Sequence, residues 1–353
     1  MIDPASRPTR FRSTRHSAVG EGHAQDEEDL LGTVLRSIRL TGGLLFLVDA
    51  HAPWVTQAPP ARAFARAVLP GVQHLLSFHI VTRGACWAGL VGEPAMRVEA
   101  GDIFIVPHGD PYLLASAPDL RSSCTQEEEV DFFRQMAAGR LPPIVRADGG
   151  GSAATSFLCG FLGCDMQLHR CTLAALPRGL WLRRSAMRAK RMDQLVSLAC
   201  DELQEQRPGA RPVLLRLSEL LFVEALRCYL SSAPAAPRGW LAATGDARVA
   251  HALALLHSRA SHPWTLSALA RESRTSRSVL AARFVRLVGR PPMQYLTEWR
   301  MHRASSLLAE GRQKMAAVAA EVGYGSEAAF SRAFKRCFGV TPGAWQKKAA
   351  RAG

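Results

Sequence analysis

Between Leu40 and about Met166 the apolar positions come in short runs broken by Gly and Pro: GGLLFLVDA, HLLSFHIVTRG, CWAGLV, AMRVEAGD, IFIVPHGD, PYLLAS and TSFLCGFLGCD. Runs of this length, with turn signals roughly every 8 to 12 residues, predict an all-β sandwich or barrel rather than βαβ units. Glu93-Pro94 and Gly101-Asp102 mark two tight turns. From Asp165 to Leu230 the period becomes helical. Met192, Leu195, Val196, Ala199 and Leu203 form one apolar stripe, and Leu215, Leu220, Val223 and Leu226 form a second, so two amphipathic helices are expected. The stretch SSAPAAPRG, Ser231 to Gly239, has no period and reads as a linker. Upstream, residues 1–27 lack apolar periodicity and are expected to be disordered, and Leu30, Leu31, Val34, Leu35 and Ile38 predict a short helix from Glu28 to Ile38.

The final third matches itself. A shift of 50 residues lays Ser276 on Ser326, Leu280 on Phe330, Phe284 on Phe334, Arg286 on Arg336, Gly289 on Gly339 and Pro292 on Pro342. A shift of 49 lays Leu269-Ala270 on Val318-Ala319, so one supersecondary unit occurs twice with a one-residue difference in its turn. Each unit reads as helix, tight turn and second helix, with a Ser to cap the second helix and a Gly to end it. In the second copy Phe330, Phe334 and Phe338 form an apolar back, while Glu327, Ser331, Arg332 and Lys335 form a polar front. Pro291 to Leu308 supplies a spacer helix of roughly 25 Å. That is of the order of the roughly 34 Å between successive major-groove faces on one side of a duplex.

Charge strengthens this picture. From Asp246 onward there are 18 Lys+Arg against 6 Asp+Glu, whereas residues 1–245 hold 26 against 24. Most of the net charge of +14 therefore lies with the repeated unit, as expected of a part that meets a polyanion. No apolar run approaches the roughly 18 residues of a membrane span, and the basic N-terminal stretch lacks the apolar centre of a signal peptide, so a cytoplasmic location and no membrane partner are expected. The eight cysteines are scattered without a CxxC pair. Cys159 and Cys164 are the close pair, read either as two core-filling thiols or as a metal or redox site.

The segments FHIVTRGACWAGL and VEAGDIFIVPHGDPYLL resemble the cupin, or jelly-roll, sensing domain at the N-terminus of AraC-type regulators. The resemblance covers roughly Leu31 to Leu176. Metal-holding cupins carry several His and a Glu around the first of these strands; here His79 and His108 alone stand at such places, the HxH pair is missing, and Tyr112 replaces a further imidazole. Low-weight metal candidates are His79, His108, Cys159 and Cys164. The favoured reading is an organic-ligand pocket lined by His79, Trp87, His108 and Tyr112, with no cofactor.

The region from about Ala247 to Lys348 is similar to the AraC/XylS-type DNA-binding domain. The similarity rests on Trp264-Thr265-Leu266, Leu269-Ala270, the Ser276 to Gly289 helix, Pro292-x-x-Tyr295-Leu296, Arg300-Met301, Val322-Gly323-Tyr324 and Phe338-Gly339-Val340-Thr341-Pro342. It implies that Ser278, Ala281 and Ala282 face bases from the first recognition helix and Glu327, Ala328, Ser331 and Arg332 from the second. Arg277, Arg286, Lys335 and Arg336 are placed for phosphates. Position 282 is often Arg in that family; Ala282 here leaves the first helix little capacity for direct readout, and leaves more of the discrimination to the second.

The expectation is a multidomain α and β protein, not an enzyme. It comprises a cupin-like β-barrel (jelly roll) over 28–176, a helical pair over 177–230 and a linker over 231–245. An all-α double helix-turn-helix over 246–348 completes it. Its expected partners are duplex DNA, RNA polymerase and a small-molecule effector. The helical pair fits either packing on the barrel or a homodimer interface. Two other readings are a cupin metalloenzyme fused to a DNA-binding module and a thiol- or metal-sensing regulator using Cys159 and Cys164.

Overall fold

The computed structural model describes residues 40–69, 72, 74–164, 173, 176–187, 189–232, 243, 246–311 and 313–350. The expected disorder of 1–27, the Glu28–Ile38 helix, Cys171 and most of the 231–245 linker lie outside the described residues.

The sheet-rich part contains β1 (Leu40–His51), β2 (Val55–Ala58), α1 (Ala61–Val68), β3 (His74–Arg83), β4 (Ala85–Leu90), β5 (Met96–Glu99), β6 (Ile103–Val106), β7 (Tyr112–Ala115), α2 (Gln126–Ala137), β8 (Ile144–Asp148), β9 (Ala154–Cys164) and β10 (Leu180–Leu182). They form a six-stranded sheet, β10-β6-β3-β9-β1-β8, and a four-stranded sheet, β2-β7-β4-β5. All neighbours are antiparallel except β1 and β8, which run parallel. This is the sheet-rich cupin architecture. Each apolar run quoted from the sequence is a strand, and the turns fall at Gly92 (φ 87°) and Gly101 (φ 91°).

The departure is helical. An all-β reading of 40–166 misses α1 and α2, which both pack on the barrel. Helix α1 buries Ala61, Phe64, Ala65 and Val68. Helix α2 starts from a reciprocal cap: Thr125 Oγ1 accepts from the Glu128 N–H, and the Glu128 carboxylate accepts from the Thr125 N–H.

Strand alternation divides the core. On β1, β3 and β9, Phe46, Val81, Phe157 and Phe161 point between the sheets with α1 and α2. Leu47, Phe78, Leu158 and Leu162 point the other way, into a cluster shared with the next two helices, α3 (Ala189–Glu205) and α4 (Ala210–Ser232). The helical pair therefore packs on the barrel. Leu217, Leu221 and Phe222 are buried, but Leu220, expected on the apolar stripe, is 51% exposed. Leu226 is buried and Leu215 and Val223 are half-buried, so of the expected stripe Leu220 alone faces out, because the buried face of α4 is centred on 217, 221 and 225.

Asp102 joins the barrel to the segment after β10. Its carboxylate accepts from Arg183 Nη1 at 2.7 Å and from the Arg184 N–H at 2.8 Å. The helical part comprises α5 (Ala247–Ser258), α6 (Leu266–Glu272), α7 (Arg277–Val288), α8 (Pro292–Glu310), α9 (Met315–Glu321), α10 (Glu327–Phe338) and α11 (Pro342–Ala350). Here α6–α7 and α9–α10 are the two copies, and α8 is the spacer, 19 residues or about 28 Å long.

Candidate nucleic-acid interface and barrel cavity

Both copies are built by the same local devices. In the first, Ser276 Oγ accepts from the Val279 N–H at 3.3 Å, and Gly289 (φ 84°) ends α7 in the left-handed conformation. In the second, Ser326 Oγ accepts from the Ala329 N–H at 3.2 Å, and Gly339 (φ 73°) ends α10. The turns superpose through Thr275 and Tyr324, whose N–H groups return to Ala270 O at 3.0 Å and Ala319 O at 2.9 Å. The one-residue difference is therefore Gly325, between Tyr324 and the cap. Leu280 and Phe284 in the first copy, and Phe330 and Phe334 in the second, are fully buried, with Phe338 half-buried.

Packing these rows inward turns the other faces out. On α7, Arg277, Ser278, Ala282 and Arg286 are exposed and Ala281 is half-buried. On α10, Glu327, Ala328, Arg332, Lys335 and Arg336 are exposed and Ser331 is half-buried. Sequence reasoning missed Val279 and Val285, 39% and 43% exposed on the α7 front. The available signal was their place one step off the Leu280, Phe284, Val288 row, which makes them outward-facing apolar side chains. Arg283 is turned away from that front: its Nη1 donates to Asp246 Oδ2 at 2.9 Å, while the other oxygen of Asp246 caps α5.

The two copies are tied together by Arg300 on α8. Its Nε donates to Ala260 O at 2.6 Å and its Nη2 to His262 O at 2.7 Å, and the guanidinium lies 5.9 Å from the Tyr324 ring centre. The electrostatics of the fronts are lopsided. Helix α7 carries three Arg and no acid; α10 carries one Lys and two Arg, with its single acid, Glu327, in the first turn where the helix dipole favours it.

The sheet-rich part encloses a cavity of about 250 Å³ whose lining includes side chains of β1, β2, β9 and α2. Of the four pocket residues expected from the sequence, His79 and Tyr112 line it, and Trp87 and His108 do not. Cys86 and Ala88 face the interior of β4, which turns Trp87 outward; His108 lies beyond the end of β6, with Nε2 2.8 Å from Leu176 O. His79 is 1% exposed, its Nδ1 is 3.1 Å from Cys159 Sγ, and burial lowers its pKa to about 3, so the imidazole is neutral. Burial pushes the Cys159 thiol and the Tyr112 hydroxyl well above their ordinary values.

Cys159 and Cys164 do not come together. Five positions apart on β9, they point to opposite faces of the sheet, Cys159 inward and Cys164 toward the helical pair. Among the described residues no group of three or more His, Cys, Asp or Glu is placed to hold a metal ion. The cavity residues that sequence reasoning missed include Trp54 and, from α2, Glu129 and Phe133. The legible signal was the Thr125-x-x-Glu128 capping box that starts α2.

A cupin family model matches residues 29–231, and a helix-turn-helix domain model matches residues 269–348. A Streptomyces antibioticus protein named as an AraC-like transcription regulator is 34% identical over 287 residues, 80% of this chain and 90% of that protein. A Streptomyces lividans protein of the same description is 32% identical over 279 residues, 77% of this chain and 87% of that one. Among solved structures, a DNA-binding transcriptional dual regulator from Escherichia coli K-12 is 31% identical, covering 30% of this chain and 92% of that chain, with a TM-score of 0.27.

Proposed function

This chain belongs to the AraC-like transcription regulators, with a cupin unit ahead of its helix-turn-helix domain, and from that premise we propose that α7 and α10 enter successive major grooves on one side of a duplex. Ser278, Ala281 and Ala282 face bases from α7, joined by the exposed Val279 and Val285. Glu327, Ala328, Ser331 and Arg332 face bases from α10. An Arg donates two hydrogen bonds to a guanine edge, a carboxylate accepts from cytosine, and a methyl group meets thymine. The α10 front thus discriminates by hydrogen bonds, and the α7 front by methyl contact and shape. Arg277, Arg286, Lys335 and Arg336 hold phosphates and supply salt-dependent affinity.

The observation that carries this reading is the repeated geometry itself: two 12-residue helices, each running from a Ser cap to a left-handed Gly and each with a basic exposed front. The units divide as 28–176, 177–230, 231–245 and 246–348, and the protein acts in the cytoplasm, on promoter DNA and RNA polymerase, as a regulator rather than an enzyme.

An effector in the barrel cavity sets DNA occupancy. Alternate residues of β1 and β9 support this coupling: Phe46 and Phe161 line the cavity, while Leu47 and Leu162 press on the cluster that continues through α3 and α4 to α5–α8. Exposed Leu198 and Leu220 on the outer side of the pair are available to a homodimer. Selection of bound fragments from random duplex DNA tests the two-groove arrangement. Two half-motifs about one helical turn apart are expected; a single compact motif overturns it.

A further inference from the structure

The sheet-rich part leaves three buried side-chain polar atoms without a partner among its described residues: Trp54 Nε1, His79 Nε2 and Glu129 Oε1. Their residues are 8%, 1% and 7% exposed, and all three line the one cavity of about 250 Å³. Buried polar atoms are ordinarily paired, and each unpaired one carries a desolvation cost that a complementary group would recover. Three converging on one void are the mark of a site built for an occupant.

The chemistry of that occupant follows from what the three atoms can do. The indole N–H of Trp54 only donates, so the ligand needs an acceptor. Glu129 is held by its second oxygen and by its place on α2; burial raises its carboxyl pKa, but in either protonation state it pairs with a hydroxyl. His79 is neutral and offers Nε2 as donor or acceptor according to its tautomer. A hydroxyl, which both donates and accepts, satisfies this set. No Lys or Arg lines the cavity, whereas Glu128 and Glu129 do. An anionic ligand would meet two carboxyl groups and no countercharge.

The walls supply the rest. Trp54 stacks on Phe157 with ring centres 5.3 Å apart, and Phe133 meets Phe161 at 5.1 Å while stacking on Phe64 at 4.5 Å, which fixes α2 over the opening. A dry cavity of about 150 Å³ accepts a benzene ring, so this one has room for a substituted ring or two fused rings.

We propose that the cavity binds an uncharged one- or two-ring molecule bearing a hydroxyl or N–H group, oriented by donation to Glu129 and acceptance from Trp54. This rests on the reading of the sheet-rich part as the sensing unit.

Calorimetric titration of the full-length protein with two matched sets tests it: 4-propylphenol, propylbenzene and 4-propylbenzoate, and 2-naphthol, naphthalene and 2-naphthoate. The hydroxyl probes are expected to bind about tenfold or more tightly than their hydrocarbons, and the carboxylates more weakly still. Glu129→Leu is expected to abolish the hydroxyl preference while retaining hydrocarbon binding. It removes a buried carboxyl that has one oxygen unpaired, so its thermal midpoint should stay close to the parent's, which checks that it folds. Failure of both hydroxyl probes to bind, tightest binding by the carboxylates, or a hydroxyl preference that survives in Glu129→Leu would each overturn the assignment.

DNA affinity measured on the same complexes separates the two levels. Hydroxyl-selective binding that leaves DNA affinity unchanged supports the site and removes effector control. A carboxylate that binds best and alters DNA affinity does the reverse.

Discussion

Arg274 and Gly323 occupy the same left-handed place in the two helix-turn-helix turns, with φ 51° and 84°, each one residue before the N–H that closes back on the preceding helix. Glycine adopts that conformation freely, whereas a side chain costs about 1–2 kcal/mol. The first copy thus carries strain that the second avoids. Arg274→Gly should raise stability by up to about 1 kcal/mol, since the relief is partly offset by the added freedom of the unfolded chain. Chemical denaturation checks the sign.

The reverse change is not its mirror. A Cβ on Gly323 would lie 2.6 Å from the backbone oxygen of Ser261 and 3.0 Å from Arg300 Nη2. Gly323→Ala therefore combines left-handed strain with a backbone clash where Arg300 joins the two copies. A loss above about 2 kcal/mol of stability is expected, with a larger fall in affinity for a two-half-motif duplex than for a single half-motif, each relative to the parent.

Much of this was legible before the structure. Caps, left-handed glycines and apolar rows are local signals, so Ser276, Gly289, Ser326 and Gly339 could be placed from spacing, and the strands of the barrel from their turns. What could not be read is what covers a face. Alternation puts His79 and Cys159 on one side of their strands, but only the tertiary arrangement reveals that α2 brings Glu129 over them. Trp87 and His108 failed for the same reason: proximity in sequence to the right strands did not fix their direction. Cys159 and Cys164 are the two core-filling thiols that their residue type suggested; the alternative of a joint metal or redox site fails on parity, which a period-two count settles.

Arg332 and Lys335 separate specificity from affinity. Both are exposed on the α10 front, but Arg332 lies one turn from Ala328 in the middle of the helix, while Lys335 is in the last turn. Arg332→Ala should cost about 1–3 kcal/mol on the preferred half-motif and relax one position of it. Lys335→Ala should weaken all duplexes alike and lower the salt slope by about 1. Binding titrations on matched and mismatched duplexes at several salt concentrations distinguish the two.

Arg283 and Ala282 are adjacent yet serve different ends. The Arg283–Asp246 pair ties α7 to the start of α5. Arg283→Ala is therefore expected to leave the salt slope of DNA binding unchanged and to cost under about 1 kcal/mol of stability, as half-exposed ion pairs do. Ala282→Arg places a guanidinium on the exposed α7 front, and should create a new preferred base in the first half-motif, worth about 1–3 kcal/mol of discrimination. Repeating the selection with this variant reads the change directly.

His257 connects acidity to the stability of the helical part. It is 6% exposed, its ring stacks on Trp299 at 3.9 Å, its Nε2 lies 2.7 Å from the Tyr295 hydroxyl, and burial lowers its pKa to about 3 from an ordinary 6.5. The folded value lies below the unfolded one, so the contribution of the neutral ring is fully present above pH 6.5. It is lost as pH falls from 6.5 toward 3, where the unfolded chain takes up a proton that the folded chain refuses. His79, lowered to about 3 in the same way, adds a second such group. Each should remove up to about 1.4 kcal/mol per pH unit in that window. His257→Gln keeps an acceptor for Tyr295 but cannot be protonated, so its stability measured between pH 7 and 5 should fall less steeply than the parent's, by one proton's worth of slope. An unchanged slope would mean that the ring at position 257 is already charged in the folded protein.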